Sequence, residues 1–585
     1  MFLAPIHLLR RTATTPSHLH TIKFFLIYFL PVALAGVLNT LPIVDLGYEQ
    51  HRASFLDVGY ISFIDEISDL ALTHTYTTSN QYNFSKIRYG QAPIGDLCFK
   101  APLSPKGRNP KLQLGEVGRI CPEAFPHWFR ISEEFAANFS AGTGATFNLT
   151  AAEIGAKQHF DSTALKPDPR ITEDCLFLDV VTPKAAFDNA QKYGRNSSLG
   201  APVVIWIHGG GYVGGCKNHL GGVNLPTIPT TLIKSSQVAD KQGIVFVSIN
   251  YRLGALGWLG GASIVRAGGV ANAGLYDQQL AIKWVVDHIS LFGGDPSRIK
   301  LLGESAGAIV QSPGYWPIFD PDLAESATKQ FLAVLNVSSV EESRTLDSAT
   351  VIKANQLQIN RSPNRYFGYD PTVDSLFVPD LPHILLSKGA HTKNVKVMTS
   401  YTNNEGPLLA PSIINSSTGL EFLIRILYPG VSVKSIDYIA EKLYPQVYDG
   451  SYPYHTSLER SDLVFADCLI HLSNNALSKA LENKTYAYRF SIPPSVHGQD
   501  VAYTFYNHGD REVDPRAAET IQGYIANFVR SGNPNGFNLP YFAMQGKNYS
   551  MNNVGVNGTQ TFVDPARGLA VDYWASGKIW DDILY

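Results

Sequence analysis

Four short stretches hold residue types able to carry acyl-transfer chemistry. Gly303-Glu304-Ser305-Ala306-Gly307 sets a serine between two glycines, directly after the apolar run Arg298–Leu302. A serine on so sharp a strand-to-helix turn is lifted clear of the backbone, and side chains at the glycine positions would collide with the flanking elements. His208-Gly209-Gly210-Gly211 ends the run Val203–Ile207. Consecutive glycines are costly, at roughly 0.5–1 kcal/mol each relative to alanine. A tight turn would explain them. So would a loop whose bare N–H groups meet a developing oxyanion, and with a nucleophile present Gly210, Gly211 and Ala306 are the expected donors.

A nucleophilic serine needs a base, and the base needs a carboxylate to orient it. "SIPPSVHGQDVAYTF" offers His497, and "VKVMTSYTNNEG" offers Glu405 at the end of an apolar run. Sixteen histidines and many carboxylates leave this choice open on spacing alone. A structural histidine and an exposed loop carboxylate are the competing readings.

These residues need a rigid frame. "APVVIWIHGGG", "GIVFVSINYRLG" and "RIKLLGES" read as buried strands, and "YDQQLAIKWVVDHISLFGG" has apolar residues near helical spacing before a Gly-Gly stop. Continuous apolar strands alternating with helices predict an α/β fold with a mostly parallel sheet, covered on both faces. Ligands bind such sheets at the carboxyl ends of the strands, where the motifs lie. No repeat or linker divides the chain after about Leu41.

The remaining features concern compartment. Lys+Arg 47 against Asp+Glu 50 gives a net charge of −3, with no run of either sign. Nothing there suggests a nucleic-acid partner. Arg10, Arg11 and Lys23 precede the apolar stretch Phe24–Leu38, and Ala33-Leu34-Ala35 fits a small-x-small cleavage site. Residues 1–35 are therefore expected to be a signal peptide. The rival is an uncleaved anchor, for which this proline-interrupted run is short. Ten N-x-S/T sequons suit a glycosylated, secreted chain with no stable membrane insertion after cleavage. Five cysteines, Cys98, Cys121, Cys175, Cys216 and Cys468, leave at least one unpaired. No metal-ligand spacing appears, and no cofactor is expected.

The motifs together resemble the type-B carboxylesterase/lipase family, which includes cholinesterases and fungal lipases. "EDCLFLDVVTP", "WIHGGGY", "INYRLGALGWL", "FGGDPSRIKLLGESAGA", "NNEG", "HGQDVAYTF" and "FVRSGNPNG" all follow its pattern, from about Val44 to near the end. The resemblance implies an α/β-hydrolase fold over residues 36–585. It also implies a triad of Ser305 as nucleophile, His497 as base and Glu405 as orienting carboxylate. Gly210, Gly211 and Ala306 would hold the oxyanion, and Cys121 would pair with Cys175. The substrate would be a small-molecule or lipid ester, handled by two-step acyl transfer. Cys98 stands where the family usually has arginine.

One departure matters. Gly307 runs directly into Ala308-Ile309-Val310-Gln311-Ser312-Pro313. Roughly 25–30 residues of the family pattern lack a counterpart here, whereas a parallel crossover needs about a dozen or more. This predicts that Ala308–Gln311 is not the next parallel strand while Ser305 keeps its turn, and that the helix behind the serine is shortened. An inactive or defective relative, with a binding role or as a truncated isoform, is the alternative to an esterase.

Overall fold

The computed structural model describes residues 41–55, 80–115, 118–142, 147–165, 168–194, 200–221, 225–238, 240–305, 310–314, 318–362, 367–409, 417–508, 512–566 and 568–584. The predicted signal peptide lies outside them.

Eleven strands form the main sheet. In chain order they are β1 (Ser54–Phe55), β2 (Gln81–Arg88), β3 (Phe177–Pro183), β4 (Ala201–Ile207), β5 (Val245–Ile249), β6 (Gly294–Glu304), β7 (Val310–Gln311), β8 (Met398–Thr402), β9 (Tyr486–Phe490), β10 (Ser550–Gly555) and β11 (Gly558–Val563). Their order across the sheet is β11-β10-β9-β8-β7-β6-β4-β5-β3-β2-β1. Strands β5, β4, β6, β7, β8, β9 and β10 run parallel, and the outer strands pair antiparallel. This is the expected mostly parallel α/β sheet.

Helices used below are α1 (His127–Ser140), α2 (Thr230–Ser236), α3 (Ala273–His288), α4 (Pro321–Leu335), α5 (Ser348–Asn360), α6 (Ser417–Leu427) and α7 (Pro515–Ser531). Strand β4 shows why both faces carry apolar residues. Val203, Ile205 and Ile207 pack with Ala281, Trp284 and Val285 of α3. Val204 and Trp206 point the other way, toward Leu232 and Ile233 of α2 and Tyr524, Ile525 and Phe528 of α7. Every residue of β4 is buried, as a strand covered on both sides requires.

Cys121 and Cys175 are joined in a disulfide that closes a loop 54 positions long and holds α1. Cys98, Cys216 and Cys468 are buried free thiols. At Cys98, the thiol donates to Glu173 at 3.6 Å, so a weak contact stands where the family pattern suggests an ion pair.

The expectation for Ala308–Gln311 is corrected in part. Val310–Gln311 does form the next parallel strand, with Gly303 opposite Val310 and Glu304 opposite Gln311. The strand is only two residues long. A strand this short pairs in parallel although only four residues separate it from Ser305. Its partner β8 pairs with it at a single position, Gln311 opposite Ser400. Residues 306–309 lie outside the described residues.

Candidate active site

Ser305 directly follows β6 with φ at +51°, a left-handed conformation rare outside glycine and consistent with a tight elbow. Its N–H donates to the Gln311 carbonyl at 2.9 Å, so β7 holds the turn. The serine is half-buried and faces a small cleft shared with Gly210, Gly211 and His497. The cleft holds about 40 Å³, room for a few waters. Phe129 of α1, Phe367 and Leu408 close it, so an ester of any bulk needs these walls to part.

His497 follows β9 and reaches Glu405 through Nδ1 at 2.5 Å. Glu405 follows β8 and is almost wholly buried. Its Oε1 accepts from the Thr402 N–H at 2.5 Å and the Ser312 hydroxyl at 2.8 Å. Burial alone would raise its pKa, but His497 and these donors outweigh burial and hold it below the usual carboxylate range. The carboxylate is thus ionised and fixed in direction.

The other imidazole nitrogen, Nε2, has no hydrogen-bond partner among the described residues. Glu304 Oε1 lies 3.1 Å from it. That is close enough for charge attraction, yet both atoms lack an aligned hydrogen bond. Burial disfavours the imidazolium, but Glu304 and Glu405 together prevail and push the His497 pKa up to about 10. No hydrogen bond joins Ser305 to His497 among the described residues. Serine–base bonds are often long before substrate binds.

The glycine loop is shaped by its neighbours. A Cβ on Gly209 would come within 2.3 Å of Glu304 Oε2, so this glycine makes space for that carboxylate. Gly211 has φ at +59°, and a Cβ there would lie 2.7 Å from the Phe367 ring. No acceptor takes the N–H of Gly210 or Gly211 among the described residues, which leaves both for a ligand. Behind the loop, the His208 ring stacks on Tyr251 with centroids 4.5 Å apart. Burial lowers the His208 pKa to about 3, so this histidine is neutral and structural. Ala306, the third expected oxyanion donor, lies outside the described residues.

The sequence-predicted Ser305, His497, Glu405, Gly210 and Gly211 therefore converge from four separated segments. Sequence reasoning missed Glu304, Ser312 and Asp500. Glu304 sits inside the serine motif and lines the same cleft as Ser305 and His497. Asp500 is buried and accepts from Gln311, Ser400 and Tyr488 at 3.0, 3.1 and 2.8 Å. Burial raises its pKa to about 6. It ties β7, β8 and β9 together beneath the histidine. Trp128 is buried against Phe129, Ala136 and Leu408.

A profile described as the carboxylesterase family matches residues 70–312 and 326–567. The chain belongs to the carboxylesterase family. Carboxylesterase patB of Penicillium expansum is 34% identical over 555 residues, which cover 90% of this chain and 94% of that protein. Its counterpart in Aspergillus clavatus is 36% identical, covering 87% and 91%. Lipase 1 of Geotrichum candidum is 27% identical, covering 79% and 86%. Among solved structures, Aspergillus niger EstA superposes with a TM-score of 0.71 at 24% identity, covering 94% of this chain and all of that one. That likeness shows the α/β-hydrolase fold. As a carboxylesterase-family member, the chain is a hydrolase of carboxylic esters. No helix among the described residues is long and apolar enough to cross a membrane.

Proposed function

We propose that this family member is a secreted serine esterase acting through a Ser305–His497–Glu405 triad and an acyl-enzyme. The observation that carries the reading is His497. One ring nitrogen is held 2.5 Å from a buried carboxylate, and the other is left without a hydrogen bond in the cleft that Ser305 lines. An imidazole oriented by a buried carboxylate, lining the same cleft as a serine in a left-handed turn, is a costly arrangement to keep for structure alone.

In the reaction, Ser305 Oγ attacks the ester carbonyl and its proton passes to His497 Nε2. Glu405 steadies the imidazolium through Nδ1–H. The carbonyl oxygen, now negative, takes hydrogen bonds from Gly210, Gly211 and Ala306, each such donor being worth about 3 kcal/mol in the transition state. His497 returns the proton to the leaving alcohol, and water then repeats the sequence on the acyl-enzyme.

Secretion rests on the N-terminal pattern and the sequons. None of the eight sequon asparagines within the described residues is buried: Asn83, Asn138, Asn148, Asn336, Asn360, Asn483, Asn548 and Asn557. The inactive-relative alternative is not favoured, since all three triad candidates are present and the relatives compared above are named as enzymes. A shortened segment after Gly307 remains part of the proposal.

The test is a fluorophosphonate probe followed by peptide mass spectrometry. A single adduct on Ser305, absent when His497 is replaced by Ala, is expected. Adduct on another residue, or none on folded protein, refutes the assignment.

A further inference from the structure

A second, far larger chamber lies away from Ser305. Helices α4 and α5 and the end of α6 enclose about 600 Å³, within the range of small-molecule sites. Its walls are mainly apolar, with Ile318, Phe319, Leu323, Val334 and Leu427 prominent. The chamber and the catalytic cleft share a thin partition, because Phe367 lines the cleft and Gly368 the chamber.

Two polar features stand out in these walls. Asp370 lines the chamber and is 7% exposed. Its carboxyl forms no hydrogen bond and no ion pair among the described residues. Burial alone drives its pKa well above the usual carboxylate range. Burial thus favours the protonated acid, which would present one unused O–H donor to the chamber. Buried polar groups left unpaired are uncommon and costly. The second feature is a pair of cations. Arg361, at the C-terminal cap of α5, and Arg425, in the last turn of α6, both line the chamber and are exposed. Neither guanidinium meets a carboxylate or any other acceptor among the described residues. The two come from different helices, and guanidinium forks suit carboxylates.

A cation would be repelled at this rim, and a wholly apolar molecule would leave all three groups unused. We propose that this chamber is a binding site for an aliphatic monocarboxylate, with its carboxylate on Arg361 and Arg425, its chain on the apolar walls, and a hydroxyl or keto oxygen accepting from Asp370. Ester hydrolysis at Ser305 generates carboxylic acids, so ligands of this class arise beside the chamber.

The experiment uses the full chain carrying Ser305→Ala and isothermal calorimetry with decanoate, 10-hydroxydecanoate and decanol. One saturable site is expected for both acids, with the hydroxy acid at least fivefold tighter. R361E/R425E should weaken both acids at least tenfold and leave decanol unchanged. Asp370→Leu should abolish only the preference for the hydroxy acid. Ser326→Trp, which fills the chamber, should remove binding, while Ser326→Trp in the parent chain still labels Ser305 with fluorophosphonate. No saturable binding to folded protein, or equal affinity in R361E/R425E, overturns the proposal. So does loss of acid binding in the parent chain once Ser305 is labelled, because the ligand would then occupy the catalytic cleft. None of these readouts requires turnover, so failure here leaves the esterase reading intact.

Discussion

Removing the charge of Glu304 should move the pH dependence of hydrolysis toward acid. His497 can accept the Ser305 proton only when neutral. With Glu304 at 3.1 Å and Glu405 at 2.5 Å, its imidazolium persists up to about pH 10 in the free protein. The sign follows directly: a base whose pKa is raised is protonated at neutral pH, so kcat/KM climbs with pH toward that value. Burial opposes this rise, and Glu304 is the larger of the two carboxylate contributions that overcome it. Losing the larger of the two should bring the limb down from about 10 toward the ordinary 6.5. Glu304→Gln keeps the volume beside Gly209 and removes only the charge. The assay is kcat/KM for a short-chain p-nitrophenyl ester from pH 5 to 10, since this ratio reports the free enzyme. The expected result is an acid limb lower by at least about one unit and, at pH 7, a rate at least about tenfold higher. A limb that stays in place or moves upward, in a variant with unchanged circular dichroism, refutes the reasoning.

Glu405→Gln should lower kcat by about 10³–10⁴-fold while KM changes little, because the amide favours the wrong imidazole tautomer; steady-state kinetics check this. Ser312→Ala removes a hydrogen bond to a buried charge and should cost about 2 kcal/mol of stability, seen as a lower Tm. Gly211→Ala places a methyl against Phe367 at a left-handed position, so activity should fall at least tenfold on all esters, with fluorophosphonate labelling slowed in parallel. Cys121→Ser/Cys175→Ser opens the 54-position loop and should destabilise by about 4 kcal/mol in the entropic account, again read as Tm. Transcript sequencing across Gly307 to Gln311 should find a longer form with roughly 25–30 more codons, matching the segment of the family pattern that lacks a counterpart here; only the short form would sink that expectation.

Much of the central architecture was legible because its strands are buried on both faces. "APVVIWI" could be nothing but apolar once α2, α3 and α7 cover it, and the run became β4 as read. The helix expected from "YDQQLAIKWVVDHISLFGG" is α3, followed by one tight turn and Gly293 at φ +88°. Ser305 and the glycine loop were readable because their local chemistry is unusual for any other purpose. His497 and Glu405 were not separable from other histidines and carboxylates by spacing, since their pairing spans 92 positions and depends on the sheet bringing β8 beside β9. Glu304 was quoted in the motif but carried no signal of its own, because its contact with His497 exists only in three dimensions. The sequence also misled at Val310–Gln311. The rule that parallel strands need a long crossover assumes strands of ordinary length, and a two-residue strand evades it.

The central claim is that Ser305 still works on its shortened support. The direct measurement is hydrolysis of p-nitrophenyl butyrate by the full 585-residue chain beside its Ser305→Ala variant, with folding verified for both. The account predicts saturable turnover by the parent chain, falling at least a thousandfold in the variant. Folded parent protein without turnover, or equal turnover in both, would contradict it.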